Sequence, residues 1–243
     1  MKTVLITGAS RGIGRAAALL LASRGYSVGV NFLKNKPKAL QTVNEILSAG
    51  GDACEFCFDV GDFRQVKNGI DAFIARYKKI DALVLNAGVS EFGLLSDSTD
   101  DEYERVMQTN LKGVYNCVKA AAPIMTCAGR GSIVAVSSVW GETGASCEAI
   151  YSASKAGVIG MVKALAKEYA LAGVRVNCVS PGYVSTDMNQ RLTEQEKHDF
   201  LEQIPMFRAG SPDEIARAIA FLVGDDSSYI TGQVLSVNGG LLI

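Results

Sequence analysis

A chain of 243 residues that is 48 % hydrophobic can bury the core of one large α/β domain or two small ones. A net charge of −1 with scattered Lys and Arg leaves no nucleic-acid footprint, and no apolar run nears the ~18 residues of a membrane span. The single histidine, His198, argues against a His-based triad or a multi-histidine metal site.

Strand residues begin directly after Met1, which leaves no room for a signal peptide, so a cytoplasmic protein is expected. Thr3 to Thr7 is a buried-strand run. Gly8-Ala9-Ser10-Arg11-Gly12-Ile13-Gly14 follows, then a helix from about Ile13 to Ser23. Strand, glycine-rich turn and helix are the parts of a dinucleotide site. The glycines let the backbone approach a pyrophosphate, and the helix N-terminus offers amides and positive potential. A second strand spans Ser27 to Leu33. Folds specific for NAD often carry an acid near this strand's end, whereas this chain reads Asn31-Phe32-Leu33-Lys34. Arg11, Lys34 and Lys36 could meet a 2′-phosphate, which favours NADP(H); otherwise these cations form a solvated rim.

A helix from about Pro37 to Ala49 ends at Gly50-Gly51, and a third strand, Ala53 to Phe58, leads to Asp59-Val60. Cys54 and Cys57 have the spacing of a metal or redox pair, but positions three apart on a strand face opposite sides. With no second pair in the chain they read as structural thiols. A helix covers about Phe63 to Tyr77, and the fourth strand, Ala82 to Leu85, ends in Asn86-Ala87-Gly88. A long helix is expected from about Asp101 to Cys127, containing Asn110 and bent or interrupted near Pro123. Gly131 to Val136 is a β-branched strand ending at Ser137-Ser138.

The helix from about Ala149 carries Tyr151 and Lys155, four apart and so on one face. A lysine cation beside a phenol favours the phenolate, which tunes tyrosine toward proton transfer near neutral pH. A serine hydroxyl at the neighbouring strand end could steady a developing alkoxide. A sixth strand, Val174 to Val179, ends in Ser180-Pro181-Gly182. The polar stretch 185–211 reads as a mobile excursion, a lid. A helix over Pro212 to Val223 and a strand over Gln233 to Val237 close the chain. Strands alternating with helices specify a single-domain Rossmann fold over residues 1–243, a doubly wound parallel sheet of about seven strands with helices on both faces. The glycine and polar motifs fall just after strands, hence at the carboxyl edge where ligands bind.

In this order, Thr7 to Gly14, Asn86-Ala87-Gly88, Asn110, Ser138, Tyr151, Lys155 and Ser180-Pro181-Gly182 resemble the signature set of the short-chain dehydrogenase/reductases, over the whole chain. The resemblance implies that Tyr151 donates the proton to a substrate carbonyl, that Lys155 holds the nicotinamide ribose and acidifies the tyrosine, and that Ser138 hydrogen-bonds the carbonyl oxygen. It implies that Asn110 positions a water continuing the proton relay. Gly8, Ser10, Arg11, Gly12, Ile13 and Gly14 would cradle the cofactor with Asn31 and Phe32; Asp59 and Val60 look like adenine contacts. Asn86, Ala87 and Gly88 would line the ribose, with Pro181, Gly182, Val184 and Thr186 at the nicotinamide.

The stretch Tyr229 to Gly240 is similar to bacterial 3-oxoacyl-(acyl-carrier-protein) reductases, which implies an NADPH-dependent reductase with acyl carrier protein as partner. Those enzymes often carry a base where this chain has Ala172-Gly173, although Arg130 survives at a position associated with carrier docking. Trp140-Gly141 and Ala145-Ser146-Cys147-Glu148 look more like the branch that reduces the aminopentanone group on modified elongation factor P, where Glu148 would meet an ammonium. Another small-ketone or alcohol dehydrogenase is a further alternative. A cofactor-sensing protein is a remote one, because such relatives commonly lose the tyrosine or lysine. A tetramer is expected through the long helix and the tyrosine helix, on which Val114, Val118, Val158, Val162 and Leu165 exceed one sheet-facing stripe.

Overall fold

β-branched runs alternate with Ala- and Lys-rich stretches, and in the computed structural model, which describes residues 1–187 and 193–243, the runs pair into one parallel sheet. Its strands are β1 (Lys2–Ile6), β2 (Tyr26–Phe32), β3 (Asp52–Cys57), β4 (Ala82–Leu85), β5 (Gly131–Val136), β6 (Val174–Pro181) and β7 (Val234–Val237). They lie in the order β3-β2-β1-β4-β5-β6-β7. The order reverses at β1, where Ile6 pairs with Val30 on one side and Val84 on the other. Loops leaving β1 and β4 therefore diverge and open a crevice at the carboxyl edge.

Alternate strand residues feed two cores. Val4, Ile6, Val28 and Val30 pack under α1 (Gly12–Ser23), α2 (Lys36–Ser48) and α9 (Pro212–Val223). Leu5, Leu83, Ile133 and Val176 pack under α3 (Phe63–Tyr77), α5 (Gly113–Cys127) and α7 (Ala149–Tyr169). The bounds of α3, α9, β4 and β5 are the expected ones. Local chemistry sets them: Asp62 caps α3, and Ser211 with Glu214 forms a capping box at the start of α9.

The expected long helix is helical throughout, from Asp100 to Cys127, but it widens partway along. α4 (Asp100–Met107) and α5 are joined by a π-turn, Gln108–Lys112, that holds Asn110, and Pro123 sits inside a continuous α5. The widened turn has no compositional marker, unlike a proline. At its end Gly113 presses on the chain after β3: a Cβ there would lie 2.7 Å from Val60 Cγ2. A short helix, α6 (Val139–Thr143), capped by Ser138, also escapes sequence reading.

The basis expected for the tetramer does not hold. Val114, Val118, Val158 and Val162 are buried in the single chain's second core, and Leu165 packs partly against it. α5 and α7 each bury a broad stripe because both the sheet and neighbouring helices cover them. Within the expected lid, residues 188–192 lie outside the described residues. The remainder contains α8 (Glu194–Glu202), capped by Thr193, and a parallel bridge from Val184 to Gly210.

Candidate active site

A cleft of about 1140 Å³ crosses the carboxyl edge above β1, β2, β4, β5 and β6. Every expected site residue lines it except Gly14 and Asn110, which lie behind its wall.

The cofactor end is built from backbone held by buried amides. Asn31 Oδ1 accepts from Gly8 N at 3.1 Å, while its Nδ2 donates to the Phe56 and Phe58 carbonyls at 3.2 and 3.1 Å. Asn86 Nδ2 donates to the Thr7 and Gly8 carbonyls, both at 3.1 Å. Thr7 Oγ1 accepts from the amides of Asn86 and Ala87 at 2.9 and 3.0 Å. The glycine turn is thus bolted to β2, β3 and β4. Gly8 and Gly12 take φ of +62° and +55°, the left-handed region that disfavours a Cβ. At Gly14 a Cβ would fall 2.5 Å from both the Gly8 carbonyl and Asn86 Nδ2. Arg11 stands at the N-cap of α1 with no side-chain cap, so the first amides of α1 face the cleft mouth. A glycine cradle, an uncapped helix start and nearby cations fit a dinucleotide.

The cations differ partly from expectation. Arg11 and Lys34 line the cleft and Lys36 does not. Lys38 Nζ instead lies 3.2 Å from Asp187 Oδ2, the same oxygen that Arg11 Nη1 approaches at 3.3 Å. Asp59 accepts from Gly61 N at 2.8 Å, and the Val60 carbonyl accepts from Asn116.

The corner of Ser138, Tyr151 and Lys155 is buried, with Tyr151 8 % and Lys155 4 % exposed. Ser138 leaves β5 beside Tyr151 and acts on its hydroxyl to favour the ionised form, while its Oγ accepts from Trp140 N at 3.2 Å. Lys155 Nζ donates to the Val136 carbonyl at 2.8 Å and lies 5.6 Å from the centre of the Tyr151 ring. Gly141 lets α6 pack on α7, since a Cβ there would sit 2.8 Å from the Lys155 backbone carbonyl carbon.

The expected acidification of Tyr151 by Lys155 is not present in the protein alone. Burial pushes the Tyr151 phenol up to about 12; the Ser138 hydroxyl pulls it down and the Glu148 charge pushes it further up. Burial likewise pushes Lys155 down to about 8. Desolvation acts against both charged forms and outweighs the pairing that proximity on one helix face suggested.

Asn110 is fully engaged. Its Nδ2 donates to the Val89 carbonyl at 2.8 Å and to Ser154 Oγ at 3.0 Å, and its Oδ1 accepts from Val89 N at 2.8 Å. Ser154, which sequence reading passed over, donates to the Tyr151 carbonyl at 2.7 Å. Its spacing of three from Tyr151 was the available signal.

The substrate end is made of side chains on loops and short helices. Phe200 of α8 lies between Trp140 and Tyr183, with ring centres 5.8 and 5.0 Å away. Asp101, Glu104 and Glu148 line the same end, and Arg105, also there, is paired with Glu91. Arg130 does not flank this mouth. It directly precedes β5, at the amino edge of the sheet, and its Nε lies 3.7 Å from Asp81. Cys54 and Cys57 are free thiols, and among the described residues no cluster of His, Cys, Asp and Glu could hold a metal.

A family model described as enoyl-(acyl carrier protein) reductase matches residues 8–242. The chain is 44 % identical over 240 residues to a 3-oxoacyl-(acyl-carrier-protein) reductase of Staphylococcus aureus (strain MW2), covering 99 % of this chain and 98 % of the relative. It is 41 % identical over 242 residues to the enzyme of that name from Thermotoga maritima, covering 100 % of this chain and 98 % of that one. Among solved structures, a gluconate 5-dehydrogenase from Burkholderia cenocepacia in complex with NADP and tartrate superposes with a TM-score of 0.94 at 34 % identity, covering 99 % of this chain and 94 % of that one. The ordered motifs, the single parallel sheet with its crevice and these full-length relatives agree that the chain belongs to the short-chain dehydrogenase/reductase family.

Proposed function

We propose that the chain is an NADPH-dependent carbonyl reductase that converts a 3-oxoacyl thioester on acyl carrier protein to its 3-hydroxyacyl form. The observation that carries the reading is the Ser138–Tyr151 hydroxyl pair beside buried Lys155, opening onto the same cleft as the glycine cradle. The full-length carrier-protein reductase relatives and the NADP-bound neighbour support substrate and cofactor. Reduced nicotinamide supplies the hydride when bound. Tyr151, held protonated by its burial, gives its hydroxyl proton to the carbonyl oxygen as negative charge develops there. Ser138 donates to the same oxygen and so lowers the cost of that charge. Lys155 keeps a positive charge next to the phenol below about pH 8. Both amide hydrogens of Asn110 are committed, so it acts by holding Ser154, and through it the turn of α7 that carries Tyr151.

Loss of cofactor absorbance with an acetoacetyl thioester tests the reading. Turnover with NADPH well above NADH is expected, and a clear preference for NADH would sink the cofactor assignment. A second reading is favoured by the acids at the substrate end: Asp101, Glu104 and Glu148 suit a ketone bearing an ammonium, as on modified elongation factor P, better than an acidic carrier. Glu148→Gln should then lose kcat/KM on an aminoketone and keep it on acetoacetyl thioesters; equal behaviour on both returns the first reading.

The proposed enzyme works in the cytoplasm as a tetramer. No helix among the described residues is long and apolar enough to cross a membrane. On the outer face of α7 the exposed Ala153, Ala156, Gly160 and Ala164 would let a second copy approach closely, and a Cβ at Gly160 would meet nothing within 4 Å. Light scattering that finds a monomer at micromolar concentration contradicts this assembly.

A further inference from the structure

The carboxylate of Asp187 sits against Arg11, one of the cations expected to meet a cofactor 2′-phosphate. One oxygen, Oδ2, is 3.3 Å from Arg11 Nη1 and 3.2 Å from Lys38 Nζ. Arg11 is the N-cap of α1, and Lys38 lies in the first turn of α2, just past the end of β2. That strand end bears no acid to bind ribose hydroxyls, since Asn31 is turned inward onto Gly8, Phe56 and Phe58. Two cations from different elements therefore converge on one point at the rim of the cleft, which Arg11 and Asp187 line and Lys38 reaches from outside, and a carboxylate already lies between them. All three side chains are 40–62 % exposed, so none is locked there by burial. Asp187 is held near by its neighbour Thr186, which packs over Gly12 at 3.6 Å from where a Cβ would stand.

We propose that Asp187 is a tethered competitor of the cofactor 2′-phosphate and a determinant of cofactor specificity. The inference rests on the NADPH reading above. A phosphate dianion reaching Arg11 and Lys38 must displace the carboxylate, because two anions cannot share that space without repulsion. NADPH binding is thereby weaker than the two cations alone would make it. NADH, lacking the phosphate, leaves the Asp187 pairs in place. Asp187 thus lowers the ratio of NADPH to NADH affinity, and its return to the cations favours departure of the oxidised cofactor.

Binding of NADPH and NADH to the full chain, followed by the fluorescence of the reduced nicotinamide, tests this without a carbonyl substrate. In Asp187→Asn the NADPH Kd should fall about three- to tenfold, the scale of two exposed ion pairs, with the NADH Kd within about twofold of the parent. NADPH binding should also become more salt-dependent, since bulk ions replace a tethered carboxylate at the two cations. Lys38→Gln should weaken NADPH and spare NADH. A parent that prefers NADH overturns the cofactor reading and this proposal together. A parent that prefers NADPH, with Asp187→Asn leaving that preference unchanged or reduced, overturns the proposal alone. So does a Lys38→Gln variant that binds NADPH like the parent.

Discussion

The two ends of the cleft are built on different principles. At the cofactor end the surface is backbone, shaped by glycines and fixed by Asn31, Asn86 and Thr7, whose side chains face inward. At the substrate end the surface is side chain: Trp140, Tyr183, Phe200 and three acids, carried on loops and short helices. A cofactor common to many reactions is met by groups that cannot vary without breaking the turn. A substrate particular to one reaction is met by groups that can be exchanged while the sheet stays intact. Between the ends stands the Ser138–Tyr151–Lys155 corner, fixed by burial rather than by loops.

The largest effect should come from that corner. Tyr151→Phe keeps the ring and its packing and removes the proton, so turnover should fall about 10²–10⁴-fold with NADPH binding retained. Steady-state kinetics and a binding titration separate the two, and substantial residual turnover would move the proton donor elsewhere.

Two glycine substitutions sharpen the contrast between the ends. Gly14→Ala forces a methyl to 2.5 Å from the Gly8 carbonyl and Asn86, and should cost ~1–3 kcal/mol of stability along with NADPH affinity. Gly93→Ala, on the loop after β4, meets nothing within 4 Å and should leave thermal unfolding and NADPH binding close to the parent. Equal melting temperatures for the two variants would break the comparison.

The pH profile comes next. Lys155 is a base whose charged form is disfavoured by burial, so it is cationic below about pH 8 and neutral above. Tyr151, pushed up to about 12, stays protonated throughout. Reduction should hold steady below about pH 8 and decline toward about tenfold per unit above it, the slope for loss of one proton. A break near the ordinary lysine value would mean that ligands in the cleft restore the charge that burial removes. The smallest effect belongs to Phe200→Ala, which strips Trp140 and Tyr183 of their shared partner. Substrate KM should rise a few-fold, the scale of one aromatic pair, with the NADPH Kd unchanged; a parallel change in both would mean that α8 supports the cofactor end as well.

The same division explains what could be read from the sequence. Glycine spacing, strand-end asparagines and Tyr151 with Lys155 are local in sequence, and the fold gathers them around one cleft, so most of the cleft's lining was legible down to single residues. The π-turn at Asn110 was not, because an added residue in a helical turn changes hydrogen bonding without changing composition. Val114, Val118, Val158 and Val162 suggested an outer interface because a pattern does not say how many neighbours cover a helix. The upward shift of the Tyr151 phenol was hidden because desolvation depends on everything packed around it, including residues far away in the chain. The meeting of Arg11 and Lys38 at Asp187 joins three distant segments, which no spacing rule links.

Trp140 is the chain's one tryptophan, and it stands edge-on to Phe200 in the wall of the cleft. Its ultraviolet emission therefore arises from a single place, with no second indole to subtract. Reduced nicotinamide absorbs where indole emits, so NADPH in the cleft should quench Trp140 by energy transfer and glow in its stead. A substrate displacing Phe200 should shift the colour of the same emission. One optical channel thus separates arrival at the cofactor end from arrival at the substrate end, with no label attached.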